Sequence, residues 1–129
     1  TKYKNAEAVD MVCYTEESIK ANNYVRATTV KKGDRIVCMV GFETYSTDKV
    51  KKLQYTLSYG SGLKLVNANP PSATKNGNTY TFTLKNPTSV GETGLGEFTF
   101  EVIGTTGLTY GIKDIKFTTT DNKNYYTYS

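Results

Sequence analysis

Cys13 and Cys38 are the only thiols in this 129-residue chain, and the chain contains no histidine. That combination restricts what chemistry it can do. A cysteine nucleophile ordinarily relies on an imidazole to take its proton, and imidazole is also the commonest general base, so both routes lack their usual partner. A zinc site of ordinary composition is short of ligands for the same reason, and the spacing of the two cysteines fits no zinc pattern. Two readings of the pair stay open. One is a disulfide between neighbouring or facing strands, suited to an oxidising compartment; the other is a pair of buried thiols packing as small hydrophobes.

Carboxylates are the remaining acid-base groups. Glu97 and Glu101 lie four apart in a strand-like stretch, on one face but roughly 13 Å from each other by strand rise. That exceeds the separation of about 5 to 9.5 Å at which paired carboxylates hydrolyse glycosidic bonds. Glu16-Glu17 reads as a charged loop. Asp114, Asp121 and Asn122 offer the oxygen chemistry that calcium takes, yet Asp121-Asn122 is more simply a turn, so neither a metal nor a cofactor is expected. The run Gly91-Glu92-Thr93-Gly94-Leu95-Gly96 has neither the lysine nor the following helix of a phosphate loop and reads as a flexible connection. Tyr110, Tyr125, Tyr126 and Tyr128 can supply aromatic faces on which a sugar ring stacks, or can cover the edge of a terminal strand, since tyrosine bridges apolar and wet surroundings. No tryptophan is present to strengthen the sugar reading. The chain is expected not to be an enzyme.

Charge excludes a further class. The formal net charge is +4 and the pI about 9.0. The lysines are nevertheless scattered or merely paired, as at Lys31-Lys32 and Lys51-Lys52, and the only arginines are Arg26 and Arg35. A nucleic-acid binder concentrates its positive charge and uses arginine for bidentate contacts, so no nucleic-acid partner is expected. No apolar run reaches the ~18 residues of a membrane span, and membrane insertion is not expected either. Thr1-Lys2-Tyr3-Lys4 contains no apolar signal core and no initiator methionine, which fits a mature or excised piece of a longer protein. The length suits one domain over residues 1–129, with residues 1–7 read as a linker remnant.

The elements that must position these groups are strands. Tyr, Thr and Val crowd the second half of the chain, and β-branched and aromatic side chains fit the half-buried surface of a sheet. Period-two alternation runs through Ile36, Cys38, Val40 and Phe42; through Leu53, Tyr55, Leu57 and Tyr59; through Tyr80, Phe82 and Leu84; and through Phe98, Phe100 and Val102. A short strand is expected at residues 63–66, and a last pair at residues 109–119 and 125–128 around the turn Asp121-Asn122-Lys123-Asn124. Tyr59-Gly60-Ser61-Gly62, Asn69-Pro70-Pro71 and Asn76-Gly77-Asn78 punctuate the chain, the first because glycine takes backbone angles that other residues resist and the last as a hairpin signal. In the first thirty residues, Val9, Met11 and Cys13 alternate like a strand, residues 15–20 form one helical turn or a loop, and residues 24–30 form a second strand. Turn signals every ten or so residues with almost no helix indicate an all-β fold, a single jelly-roll or immunoglobulin-like sandwich of about 8 to 9 strands.

The order of these pieces resembles a known family. Val30-Lys31-Lys32-Gly33-Asp34-Arg35-Ile36-Val37-Cys38-Met39-Val40, then Leu53-Gln54-Tyr55-Thr56-Leu57-Ser58-Tyr59 with Leu63 and Leu65 behind it, then Leu95-Gly96-Glu97-Phe98-Thr99-Phe100-Glu101-Val102 and a final stretch over residues 107–115, is similar to the cohesins. Gly60 stands where cohesins typically carry an aspartate, and the N-terminal region is longer than the family needs. The resemblance implies a jelly-roll related to certain carbohydrate-binding modules, on a bacterial surface or secreted scaffold. It implies a protein partner of the dockerin type, borne by polysaccharide-degrading enzymes, and an extracellular or cell-surface location.

If the family's recognition sheet carries over, the partner meets the outward side of the strands holding Gln54, Thr56 and Ser58, Thr81, Thr83 and Lys85, and Glu97, Thr99 and Glu101. Such short hydroxyls and charges can form a hydrogen-bonded interface, although the aromatic and arginine anchors that usually dominate binding energy are missing. The same pattern also describes a plain solvated sheet face. Polysaccharide binding and a ligand-free spacer or adhesin role are the alternatives.

Overall fold

A computed structural model describes residues 7–44, 49–69, 73–88 and 91–126. The expected linker over residues 1–7, apart from Glu7 itself, lies outside the described residues, as do Pro70-Pro71 of the expected chain break and Tyr128. Among the described residues there are nine strands and one helix: β1 (Glu7–Thr15), α1 (Glu16–Lys20), β2 (Arg35–Thr44), β3 (Val50–Tyr59), β4 (Leu63–Ala68), β5 (Ala73–Asn76), β6 (Thr79–Thr88), β7 (Gly91–Val102), β8 (Tyr110–Thr119) and β9 (Asn124–Tyr126). They form two antiparallel sheets, β1-β2-β7-β4 and β5-β6-β3-β8-β9. The fold is the all-β sandwich that the alternation predicts.

The alternating positions become the core because each strand can bury only one face. Leu53, Tyr55 and Leu57 of β3, Tyr80 and Phe82 of β6, and Phe98, Phe100 and Val102 of β7 are all buried. The rings meet between the sheets. Tyr55 stacks on Phe82 at 5.4 Å, Phe98 stands edge-on to both Tyr55 and Tyr80 at 6.5 and 5.2 Å, and Tyr59 tilts against Phe100 at 5.0 Å. Offset and edge-on pairs of this kind each add roughly 0.5–1.5 kcal/mol beyond the burial of their area.

Cys13 and Cys38 face each other directly across the β1–β2 ladder, and they are joined by a disulfide with a Cα–Cα distance of 4.0 Å. Of the two sequence readings the disulfide holds and the pair of free thiols does not, although the bonded cysteines are buried in the hydrophobic core.

Three expectations change. Residues 24–30 form no strand; only an isolated bridge pairs Arg26 with Tyr14. After the five-residue α1, the buried Ser18 hydroxyl donates to the Thr15 carbonyl at 2.8 Å and accepts from the Val25 amide at 2.9 Å, which folds the chain back onto β1. There Thr15 N donates to Val25 O and Ala27 N to Cys13 O, so the segment covers the last three residues of an edge that would otherwise be open for pairing. Residues 91–96 are not a loop but the first half of β7, laddered to β2 from Thr44↔Gly91 to Val40↔Gly96 with a bulge at Val40/Gly41. Backbone pairing needs no side chain, so glycines that weaken a strand's signal do not prevent its ladder. Finally, the Gly60-Ser61-Gly62 turn requires glycine for closeness rather than for unusual angles. A Cβ on Gly60 would lie 2.3 Å from the Gly107 carbonyl oxygen, and one on Gly62 would lie 2.1 Å from that of Thr106.

Two measurements test this core. The disulfide spans a sequence separation of 25 residues, so by loop-closure entropy replacing both cysteines with alanine should cost about 3.5 kcal/mol of unfolding free energy in a urea titration. The second concerns Tyr55, whose phenol burial pushes well above its ordinary pKa of roughly 10, with neighbouring Tyr80 adding to the shift. The folded chain therefore holds the neutral phenol, whereas the unfolded chain releases that proton near pH ~10. Stability should be complete below that pH and fall as pH rises through it, and Tyr55→Phe should give a shallower alkaline slope than the parent.

Candidate functional site

The outward side of β5-β6-β3-β8-β9 is the candidate site. Its side chains form rows across neighbouring strands. Thr79, Thr56 and Lys113 make one row, Thr81, Gln54 and Lys116 a second, and Thr83, Lys52 and Thr118 a third, which Asn124 of β9 extends. Ser58 pairs with Gly111 at the end of β3. Ser58, Thr83, Lys52 and Lys113 are exposed, and Gln54, Thr56, Thr79, Thr81, Lys116 and Thr118 are half-buried.

Two lysines three apart on one strand should point to opposite faces. They share a face here because of a bulge in β8. Thr56 pairs with Lys113 and Gln54 with Lys116, so Asp114 and Ile115 together oppose Tyr55. Asp114 takes the extra position with φ of 53°, a left-handed conformation that aspartate tolerates better than most residues. Ile112, Ile115 and Phe117 consequently all stay buried while Lys113 and Lys116 both face out.

The polar groups of this face are tied to one another across strands. The Thr56 and Thr79 hydroxyls share a hydrogen bond of 2.9 Å, the Thr81 hydroxyl donates to Gln54 Oε1 at 3.4 Å, and Thr118 donates to Asn124 Oδ1 at 2.7 Å. At the β8–β9 turn, Lys51 Nζ donates to Asn122 Oδ1. Asp121 accepts from the buried Thr119 hydroxyl, which holds its carboxyl below the usual range, with Lys123 at 3.5 Å contributing.

The structure divides the residues expected to form one recognition face. Gln54, Thr56, Ser58, Thr81 and Thr83 come together, and Lys85 lies on the same β6 strand with its side chain outside the described residues. Glu97, Thr99 and Glu101 do not join them, because β7 is in the other sheet. There Thr99 is buried opposite Val37, Glu97 stands opposite Met39, and Glu101 lies between Arg35 and Lys64. Period two identifies the outward residues of a strand but not which sheet the strand joins. Lys52, Lys113, Lys116 and Thr118 were missed; the three-residue step from Ile112 to Ile115 is the signal that a bulge reverses the alternation.

The expected tyrosine platform also divides. Tyr110 pairs with Tyr59 at one end of β8, while Tyr126 pairs with Lys116 and Tyr125 with Phe117 near the other, roughly 20 Å away by strand rise. The side chains of Tyr125 and Tyr126 lie outside the described residues. Tyr110 instead borders a groove of about 530 Å³ with Thr28, Thr29, Val30, Leu63 and Leu108. Among the described residues no cluster of three or more His, Cys, Asp or Glu suits a metal ion, and no helix is long and apolar enough to cross a membrane.

CaCohA2 of Clostridium acetobutylicum, in its solution structure, superposes with a TM-score of 0.58 at 17% identity over 78% of this chain and 80% of that one. CaCohA2 in its complex with a CaDoc0917 variant gives 0.59 at 16%, over 76% and 86% of the two chains. A non-cellulosomal cohesin from the hyperthermophilic archaeon Archaeoglobus fulgidus gives 0.53 at 20%, over 74% and 75%. The fold is that of a cohesin. No family model matches the sequence, and no curated protein does. The cohesin fold is thus reached here through a different set of residues, in which the backbone arrangement persists while the surface is this chain's own.

The bulge generates a prediction. Asp114→Gly should leave stability unchanged or raise it slightly, since glycine adopts positive φ without strain, whereas Asp114→Val should cost on the order of 1–3 kcal/mol in thermal or urea unfolding.

Proposed function

We propose that this chain is a non-catalytic attachment module, one domain over residues 1–129, that works outside a cell or on its surface and binds a dockerin-type protein through the outward face of the five-stranded sheet. The observation that carries the proposal is the cohesin fold together with that face. Cohesins as a class bind dockerins, and one of the similar structures is a complex. Here the face is broad, polar and built on the central strands of a sheet, where the backbone fixes which side chains point outward. The disulfide supports an oxidising compartment.

Polysaccharide binding is a second reading, favoured by a single feature. Tyr110 is 38% exposed beside the hydroxyls of Thr28 and Thr29, in a groove whose volume suits a small ligand. Among the described residues no charged side chain lines the groove, which suits a neutral sugar better than an acidic one.

Both readings are tested by presenting the tagged chain to secreted and surface proteins of the source organism and, separately, to immobilised polysaccharides. Retention of a dockerin-bearing enzyme is expected. Ser58→Tyr with Thr83→Tyr, two exposed positions in strands that accept tyrosine, should lower that retention at least about tenfold by obstructing the face. Glu97→Tyr, on the opposite sheet, should not. Retention on a polysaccharide alone, abolished by Tyr110→Ala, would overturn the attachment reading.

A further inference from the structure

Between β3, β8 and β9 the outward face dips into a hollow of about 420 Å³, bordered by Lys51, Lys52, Gln54, Lys116, Thr118 and the Asn122–Asn124 turn. The hydrogen bonds around it share one direction. Gln54 Oε1 accepts from Thr81, Asn122 Oδ1 from Lys51, and Asn124 Oδ1 from Thr118. Each of the three amide oxygens is already engaged once, which leaves the amide N–H groups as the readiest contacts the amides offer, and ammonium groups are donors only. Lys52 pairs with Thr118 and Lys116 with Gln54, so the two lysines are diagonal neighbours on adjacent strands, and Lys113 follows one row further along the same face. Like charges this close repel, and an anion placed between them relieves the repulsion. Two carboxylates belong to these elements. Asp114 sits in the exposed bulge, and Asp121 is taken up by Thr119 and Lys123.

We infer that this hollow is a carboxylate-binding subsite and that the protein partner presents acidic side chains to it. The identity of the ligand as a protein rests on the attachment reading above; the carboxylate chemistry rests on the donor pattern alone. A carboxylate is an acceptor-only group whose two oxygens bridge paired donors, and charge-assisted bonds of that kind are among the strongest a polar face can make. A long polyanion is the poorer fit. It calls for an extended basic track with arginine, and both arginines lie elsewhere, Arg35 on β2 of the other sheet and Arg26 beside β1. The inference also gives the lysines of these rows a role, as a charged anchor that sets orientation and association rate.

The test uses the whole chain and a fluorescently labelled short polyglutamate peptide, followed by anisotropy at low and physiological salt. Binding is expected, weakening at least about fivefold as the screening length shortens. Lys52→Glu with Lys116→Glu should reduce it at least about tenfold, and the same variant should gain binding to a polylysine peptide, a gain that an unfolded variant would not give. Unchanged polyglutamate binding by that variant would overturn the inference, as would tighter binding to polygalacturonate or dextran sulfate than to the peptide. The two proposals fail separately. Capture of a protein partner that ignores both lysine reversals removes the carboxylate subsite and leaves the attachment role, whereas lysine-dependent peptide binding with no captured protein does the reverse.

Discussion

The contact between the rings of the two sheets is the constraint from which the rest of the molecule follows. Phe98 and Phe100 from one sheet stand against Tyr55, Tyr59 and Tyr80 from the other, and among the described residues no helix joins this cluster. A sheet cannot bury one face without turning its alternate residues outward. Fixing Tyr55 and Leu57 inward therefore fixes Gln54, Thr56 and Ser58 outward, and fixing Tyr80 and Phe82 inward does the same for Thr81 and Thr83. The candidate face is the obligatory reverse of the core. Its precision is inherited from ring packing on the other side, because sliding one strand by a single residue would expose the aromatics as well as bury the threonines.

Where alternation alone would not make a useful surface, irregularities do. The β8 bulge at Asp114 carries the strand from one inward isoleucine to the next while keeping both flanking lysines outward, and the shift at Gln54/Thr56 in β3 is the same event seen from the neighbouring strand. At the far end of the sandwich, Gly60, Gly62 and Gly107 allow two loops to touch through their backbones, with Gly60 N and Gly62 N donating to the carbonyls of Thr109 and Gly107. Gly60 thus has a structural requirement of its own. No side chain fits beside the Gly107 carbonyl.

Most of the strands were legible because burial on one face writes a period of two into a sequence. Ile36 to Val40, Leu53 to Tyr59 and Phe98 to Val102 are the clear cases, and their order was enough to suggest a cohesin. What stayed hidden was non-local. Nothing in residues 91–96 signals a strand, because glycines leave no side-chain pattern and the ladder is supplied by β2 far away in sequence. Residues 24–30 look strand-like because Tyr24, Val25 and Val30 have the right types, yet Ser18 draws the chain into a turn in which Tyr24 takes a positive φ. The site was half legible. The outward residues of β3 and β6 follow from alternation, but the strand order that separates β7 from them depends on crossovers that no local pattern encodes. The lysines of β8 were invisible for the opposite reason, since a bulge breaks the very periodicity used to read them.

A flat face without an exposed aromatic or arginine at its centre is often taken to be energetically inert, and by area alone it would be. Two features argue otherwise. Threonine and serine side chains have few rotamers to lose, and here several are already tied to neighbours on adjacent strands, so the ordering cost of an interface is small before any partner arrives. The lysine-bordered hollow at one corner adds directionality, because a carboxylate seated there sets the angle at which the hydroxyl rows are met. Affinity on such a surface comes less from any one contact than from the number of donors held in place by the sheet beneath them. Its rigidity therefore belongs to the recognition device as much as to the fold.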